Sequence, residues 1–229
     1  MSLLGHTSAS VQTPALRCVA NVATGSAEQT EAVLGALLVG SGGSLLARLL
    51  NSEKREIKKE TCWMLSNLTA GSPQQIDAVC ASGLVQHLVR VVETEEFDIR
   101  KEAAYALCNA CIGSSAETLS GLVSLQVLPA LIRCLDSADT ELVLAVCDAL
   151  ETTLAAGEAT AARMPGQLPV NPCVGLIESA GGCEKLEALQ EHHSEAVYQR
   201  VARILDTFFA EARRPNPNPR HEASASTES

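Results

Sequence analysis

IKKETCWMLSNLTAG (57–71) and IRKEAAYALCNACIG (99–113) are two copies of one design. Glu60, Trp63 and Asn67 in the first return as Glu102, Tyr105 and Asn109 in the second, each displaced by 42 residues. A fixed period of that size marks a helical solenoid, in which each unit buries its apolar face only against its neighbours. Within a copy, the acid, the ring and the carboxamide stand at i, i+3 and i+7, so all three share one face of a helix. Stacked repeats then make a ladder of carboxylates, aromatic faces and carboxamides along one groove. Such a ladder suits an extended basic peptide.

Working outward, VQTPALRCVANVATG (11–25) has the same outline, with a Pro near a helix start and a Gly stop. Each of the three long helices is closed by a glycine, at 25, 71 or 113. A polar helix-capping cluster and a shorter apolar helix follow: SAEQTEAVLGALLV, SPQQIDAVCASGLV and SSAETLSGLVSLQV. A third apolar helix comes next: LLARLLNS, VQHLVRVVET and LPALIRCLDS. Three helices per unit is the armadillo plan rather than the two-helix HEAT plan. The expected fold is therefore all-α, a right-handed armadillo-repeat superhelical solenoid of about four to five repeats. Residues 1–10 read as a leader or incomplete repeat, 11–210 as armadillo repeats and 211–229 as a disordered tail of Pro, Asn, Ser and charge.

Two interruptions stand out. LVGSGGSLL (38–46) reads as a lengthened turn; the Walker spacing that would make it a phosphate loop is absent. GQLPVNPC (166–173) is a Pro/Gly-rich insert. A fourth repeat, over about 138–185, keeps the apolar stripe through TELVLAVCDALETTLAAG, but Asp148 and Thr152 stand where the ring and the Asn were. A final half-repeat covers 183–209.

The composition narrows the function. Of 229 residues, 46% are hydrophobic but only 3% aromatic, which favours packed helices over sheet. A formal net charge of −10 argues against nucleic acid and permits a cationic partner. No apolar run approaches the roughly 20 residues a membrane span requires. The nine cysteines lie in apolar helical contexts and read as buried, reduced thiols. Cys108 and Cys111 form a CxxC with no second pair at zinc-ligand spacing, and the histidines at 87, 192 and 193 belong to no ligand cluster. With no nucleophile–base pair, phosphate loop or metal cluster, the reading is a non-enzyme without cofactors.

Each ladder residue has an ordinary reading. A Trp at helical spacing is usually core, an Asn late in a helix is usually a solvated polar or cap, and a lone Glu is usually a solvated face. Repetition changes the balance, because a core face would not repeat both a carboxylate and a carboxamide. A carboxamide can both donate to and accept from an extended peptide backbone. The rings would wall lysine methylenes and attract the ammonium, Trp63 better than Tyr105, while Glu60 and Glu102 would pair the cationic head. Arg17 occupies the aromatic slot of the first copy, where it would repel a basic side chain and could pair an acid or a peptide carbonyl.

At VQTPALRCVANVATG, KKETCWMLSNLTAG and EFDIRKEAAYALCN the chain resembles importin-α, the armadillo adaptor for nuclear localisation signals. LEALQEHHSEAVYQRVARILDTFF resembles the end of that family's last repeat. The resemblance covers about 11–209 and implies the carboxyl-terminal repeats, six to ten, without the importin-β-binding segment or the first five. It further implies the family's minor signal-binding site, with Arg17, Asn21 and Thr24 from repeat six, Glu60, Trp63 and Asn67 from repeat seven, and Glu102, Tyr105 and Asn109 from repeat eight. Two departures weaken lysine binding: Tyr105 stands where the family usually has Trp, and Ala27 where it often has an acid. The implied partners are basic nuclear localisation signal peptides, with no importin-β binding by the chain itself. The alternative is a regulatory or structural half-solenoid that docks to the export receptor or nucleoporins without importing cargo. Either role implies residence in cytoplasm and nucleus.

Overall fold

The computed structural model describes residues 2–38, 42–163 and 171–210. The core of the Gly-rich turn (39–41), most of the 166–173 insert and the tail from 211 onward lie outside the described residues.

Five long helices carry the architecture: α1 (Ala9–Ala23), α4 (Arg55–Thr69), α7 (Phe97–Gly113), α10 (Thr140–Ala161) and α13 (Glu195–Phe208). Between them run pairs of short helices: α2 (Ala27–Leu38) with α3 (Gly42–Leu50), α5 (Pro73–Ala81) with α6 (Val85–Thr94), α8 (Ala116–Ser124) with α9 (Val127–Ile132), and α11 (Pro172–Ser179) with α12 (Gly182–Ala188). After α1 the order short, short, long therefore recurs four times, and the described residues contain no strand. Successive long helices pack side by side, α1 on α4, α4 on α7, α7 on α10 and α10 on α13, which makes them one continuous layer.

Local chemistry sets the corners. After α4, Gly71 is followed by a reciprocal capping box: Ser72 N–H donates to Gln75 Oε1 at 2.9 Å, and Gln75 N–H donates to Ser72 Oγ at 3.4 Å. Ser26 and Gln29 repeat it after α1, at 2.8 and 3.4 Å. Each box satisfies backbone donors that the helix start would leave unpaired. The glutamine folds back so closely that a Cβ on Gly71 would meet its Oε1 at 2.3 Å, which explains the glycine stop. The turn between the two short helices needs a left-handed residue. Gly83 (φ +79°) and Gly181 (φ +71°) supply it, but between α8 and α9 the place is held by Gln126 at φ 63°.

The core runs the length of the stack. In α7, Ala103, Ala104, Ala106, Leu107 and Cys108 are all fully enclosed, and these small side chains let α4, α6 and α10 approach α7 together. Leu65, Leu107 and Leu150 repeat one position in three successive long helices at 0% exposure. Burying each contributes about 1.5–3 kcal/mol relative to exposure.

Two expectations need correction. Pro14 lies inside α1, because the helix begins at Ala9 rather than beside the proline; Pro14 is exposed, so its ring meets solvent and the loss is one intrahelical hydrogen bond. Cys18 is exposed rather than buried. Cys80 and Cys183 are only partly buried, while the other six are enclosed. The leader also folds in part: Ser2–Gly5 form a 3-10 turn on α1, with Leu4 buried and its carbonyl accepting from Gln12 Nε2 at 2.6 Å. Cys108 and Cys111 pack in the core as expected, and burial pushes the Cys111 thiol up to about 12, which keeps it protonated and unreactive.

Candidate functional site

Side-by-side packing of α1, α4 and α7 brings residues from three repeats into one cleft of about 280 Å³, lined by Arg17, Asn21, Lys59, Glu60, Trp63 and Glu102. Trp63 is half-buried: it packs against the core and also lines the cleft. The i, i+3 spacing puts Glu60 one turn before it on α4, and Glu102 arrives from the same register of α7.

The two acids are not equivalent. Glu60 is enclosed, with a side chain 9% exposed, and its Oε1 accepts from Arg17 Nε at 2.7 Å and Nη2 at 2.6 Å. Arg17 comes from the aromatic slot of α1, and one helix spacing places its guanidinium on the next repeat's carboxylate. Glu60 is therefore partnered within the chain, which corrects the expectation that it waits for a ligand. Arg17 finds the acidic partner that the sequence suggested for it. Glu102 makes no hydrogen bond or ion pair among the described residues. Burial pushes its carboxyl above the usual glutamate value, nearby Lys59 and Lys101 pull it back, and Glu60 adds to the rise. It is the ladder acid left open to a cation.

The carboxamides have a structural task as well. Asn67 Nδ2 donates to the Ala20 carbonyl of α1 at 3.3 Å, and Asn109 Nδ2 donates to the Ser66 carbonyl of α4 at 3.0 Å. Each Asn thus ties its helix to the last turn of the preceding long helix. Its Oδ1 and second N–H remain, so the carboxamide can still address a backbone. Asn21 is exposed and makes no such tie among the described residues. Thr24 caps the end of α1 and donates to the Asn21 carbonyl at 2.8 Å.

The nine expected residues do not all meet in one place. Thr24 and Asn67 line a second cleft of about 420 Å³, with Ala27, Gly71 and Gln75. Tyr105 and Asn109 line neither cleft. The Tyr105 ring instead carries Lys101, whose Nζ lies 5.7 Å from the ring centroid and pairs with Asp139. Lys59 and Lys101 were missed from the sequence, although they recur 42 residues apart immediately before Glu60 and Glu102. Beyond α7 the ladder becomes ion pairs: Arg200 with Asp148, and Arg203 with Glu151 at 2.7 Å through Nε and 2.8 Å through Nη2. Thr152 donates back to the Asp148 carbonyl of its own helix at 2.9 Å. A third cleft, about 610 Å³, lies between the starts of α7 and α10 around Phe97, Arg100 and Arg133, away from the ladder.

Comparison with known proteins bears on the fold and the family. An Armadillo/beta-catenin-like repeat matches residues 72–112, which are α5, α6 and α7, and an Atypical Arm repeat matches 171–220. The chain is 38% identical over 211 residues to Importin subunit alpha-4 of Arabidopsis thaliana, an alignment covering 92% of this chain and 38% of that protein. It is 37% identical to Importin subunit alpha-1a of Oryza sativa subsp. japonica, over 91% of this chain and 39% of the relative. The chain thus spans about two fifths of the length of these relatives. Among solved structures, a designed armadillo repeat protein in complex with the peptide (KR)4 aligns with a TM-score of 0.73 and 26% identity, covering 90% of this chain and 79% of that one. A computationally designed armadillo repeat protein for modular peptide recognition aligns at 0.75, also at 26% identity and with the same coverage. The all-α armadillo solenoid expected from the sequence is the fold of this chain.

Proposed function

Because the chain belongs to the importin-α family of armadillo-repeat proteins, we propose that it binds Lys/Arg-rich nuclear localisation signals in the groove along α1, α4 and α7. The observation that carries this reading is the half-buried carboxylate of Glu102, which has no hydrogen bond or ion pair among the described residues, in one cleft with the Trp63 ring. A lysine entering there lays its methylenes on the indole and brings its ammonium to Glu102. The free carboxamide atoms of Asn67 and Asn109 hold the peptide backbone, which needs no particular sequence. The (KR)4 peptide bound by the designed relative has the same chemistry. In this role the chain works as a nuclear import adaptor, without catalysis, in cytoplasm and nucleus.

Trp63 is the chain's single tryptophan, so its fluorescence reports directly on the site. Titration with a lysine-rich peptide should give a saturable change with a Kd in the micromolar range or weaker, since one charge pair, one ring contact and a few net hydrogen bonds supply only several kcal/mol, roughly the −8 kcal/mol of a micromolar complex or less. An acidic peptide of equal length should give none. A Lys-rich peptide that leaves both the fluorescence and the heat of mixing unchanged refutes the proposal.

A further inference from the structure

Resting on that reading, we propose that Lys101 is a built-in occupant of the Tyr105 rung, so that the groove takes one basic side chain, at Trp63, and refuses a second at Tyr105. Two equivalent rungs, 42 residues apart in sequence, have been filled differently. On α7 the Lys101 ammonium sits 5.7 Å from the Tyr105 centroid. That lies within the roughly 6 Å at which a cation is held by a ring face. It is the one cation seated on a ring among the described residues. The same ammonium is clamped by Asp139. Asp139 is itself fixed as the N-cap of α10, where its Oδ1 accepts from the Leu142 N–H at 3.0 Å.

On α4 the equivalent Lys59 stands off the Trp63 ring. Its nearest acid is Asp98 at 3.7 Å, and both side chains are more than two fifths exposed. The Trp63 face is therefore available, whereas the Tyr105 face already has the cation that a ligand would bring. An incoming lysine at Tyr105 would have to evict a paired ammonium that is only 29% exposed and would meet its charge on the way in. Lys101 is thus a specificity-determining residue. It makes this rung selective for a neutral side chain, and the chain reads a single basic residue rather than a basic run.

Long helices pack about 8–10 Å apart and an extended peptide rises about 3.3 Å per residue, so neighbouring rungs correspond to a spacing of two to three residues. The test uses the full chain and ten-residue peptides, uncharged apart from either one lysine or two lysines spaced by one to four residues. Binding is read from Trp63 fluorescence and calorimetry. In the wild type a second lysine should tighten binding less than twofold at every spacing. In Lys101→Ala, one spacing should bind about 5- to 10-fold tighter than the rest. Asp139→Asn, which can still cap α10 but releases the clamp, should move in the same direction by less. A preferred spacing already present in the wild type overturns the inference. So does a uniform gain in Lys101→Ala that includes the single-lysine peptide, because that is a plain charge effect. Failure of the single-lysine peptide to bind the wild type, or binding indifferent to Trp63→Ala, sinks the proposed function instead.

Discussion

Glu102→Gln separates a binding role from a structural one, because the two predict opposite costs. The carboxylate is half-buried and has no ion pair or hydrogen bond among the described residues. Its charge is therefore a burden in the unliganded fold, as the upward shift of its titration by burial records. A carboxyl whose folded pKa lies above the unfolded value contributes stability that is full below the unfolded pKa and is lost as pH rises through the folded one. At neutral pH the isosteric amide should therefore leave the melting temperature unchanged or slightly raised. Binding should move the other way. A hydrogen bond to a charged group is worth about 1.5–3 kcal/mol and an exposed ion pair ~0.2–1. A half-buried site falls between, at about 1–2 kcal/mol, or a 5- to 30-fold weaker Kd for a lysine peptide. The pH profile sharpens the test. Only the ionised carboxylate attracts the ammonium, so wild-type affinity should begin to fall at a higher pH than an ordinary glutamate would give, and the Gln variant should lose this dependence. Paired thermal melts and Trp63 fluorescence titrations from pH 4 to 8 measure both sides. A variant that binds as tightly as the wild type, or that loses affinity only in proportion to lost folding, refutes the assignment.

Three further outcomes follow from the same contacts. Arg17→Ala should tighten a basic peptide roughly 3- to 10-fold, because it removes a like charge and releases Glu60 to the cleft; weaker binding would mean that Arg17 donates to the peptide. Asn109→Ala should lower stability in a urea melt by about 0.5–1.5 kcal/mol through the lost tie to the Ser66 carbonyl, and should also weaken peptides regardless of sequence. Gln126→Gly should raise stability by about 0.5–1 kcal/mol, since the left-handed turn at φ 63° penalises a side chain; an unchanged melt would show the turn to be relaxed.

How much of this was legible in the sequence depended on whether a property repeats. The long helices, their glycine stops at 25, 71 and 113 and the polar clusters that follow recur along the chain, and each obeys local rules, so 57–71 and 99–113 could be read as one design. The shared register also brings Glu60, Trp63 and Glu102 to one cleft. Pairing was not legible, because it depends on which side chain of the next repeat lies within reach. Arg17 and Glu60 are 43 residues apart, and nothing in either helix alone says that they touch. The same blindness hid Lys101. Its place before Glu102 is plain in the sequence, but its turn toward Tyr105 is decided by Asp139, at the start of a different helix. Cys18 was misjudged because an apolar stripe does not reveal which face lacks a neighbour.

Those pairings change what the acidic composition means. A net charge of −10 suggests a groove rich in free carboxylates. Along the long-helix layer, however, Glu60 is held by Arg17, Glu95 by Lys58, Asp139 by Lys101, Asp148 by Arg200 and Glu151 by Arg203. These contacts clip each repeat to the next and remove the acids from competition for a ligand. Surface charge elsewhere acts through solvent and fades beyond about 8–10 Å at physiological salt. Selectivity then rests on the acid that is left unpaired rather than on total charge. A site with one open carboxylate should show a shallow dependence of affinity on salt, in keeping with a single ion pair, even toward a peptide bearing many lysines. A steep dependence would mean that the ligand breaks the internal pairs and takes their acids for itself.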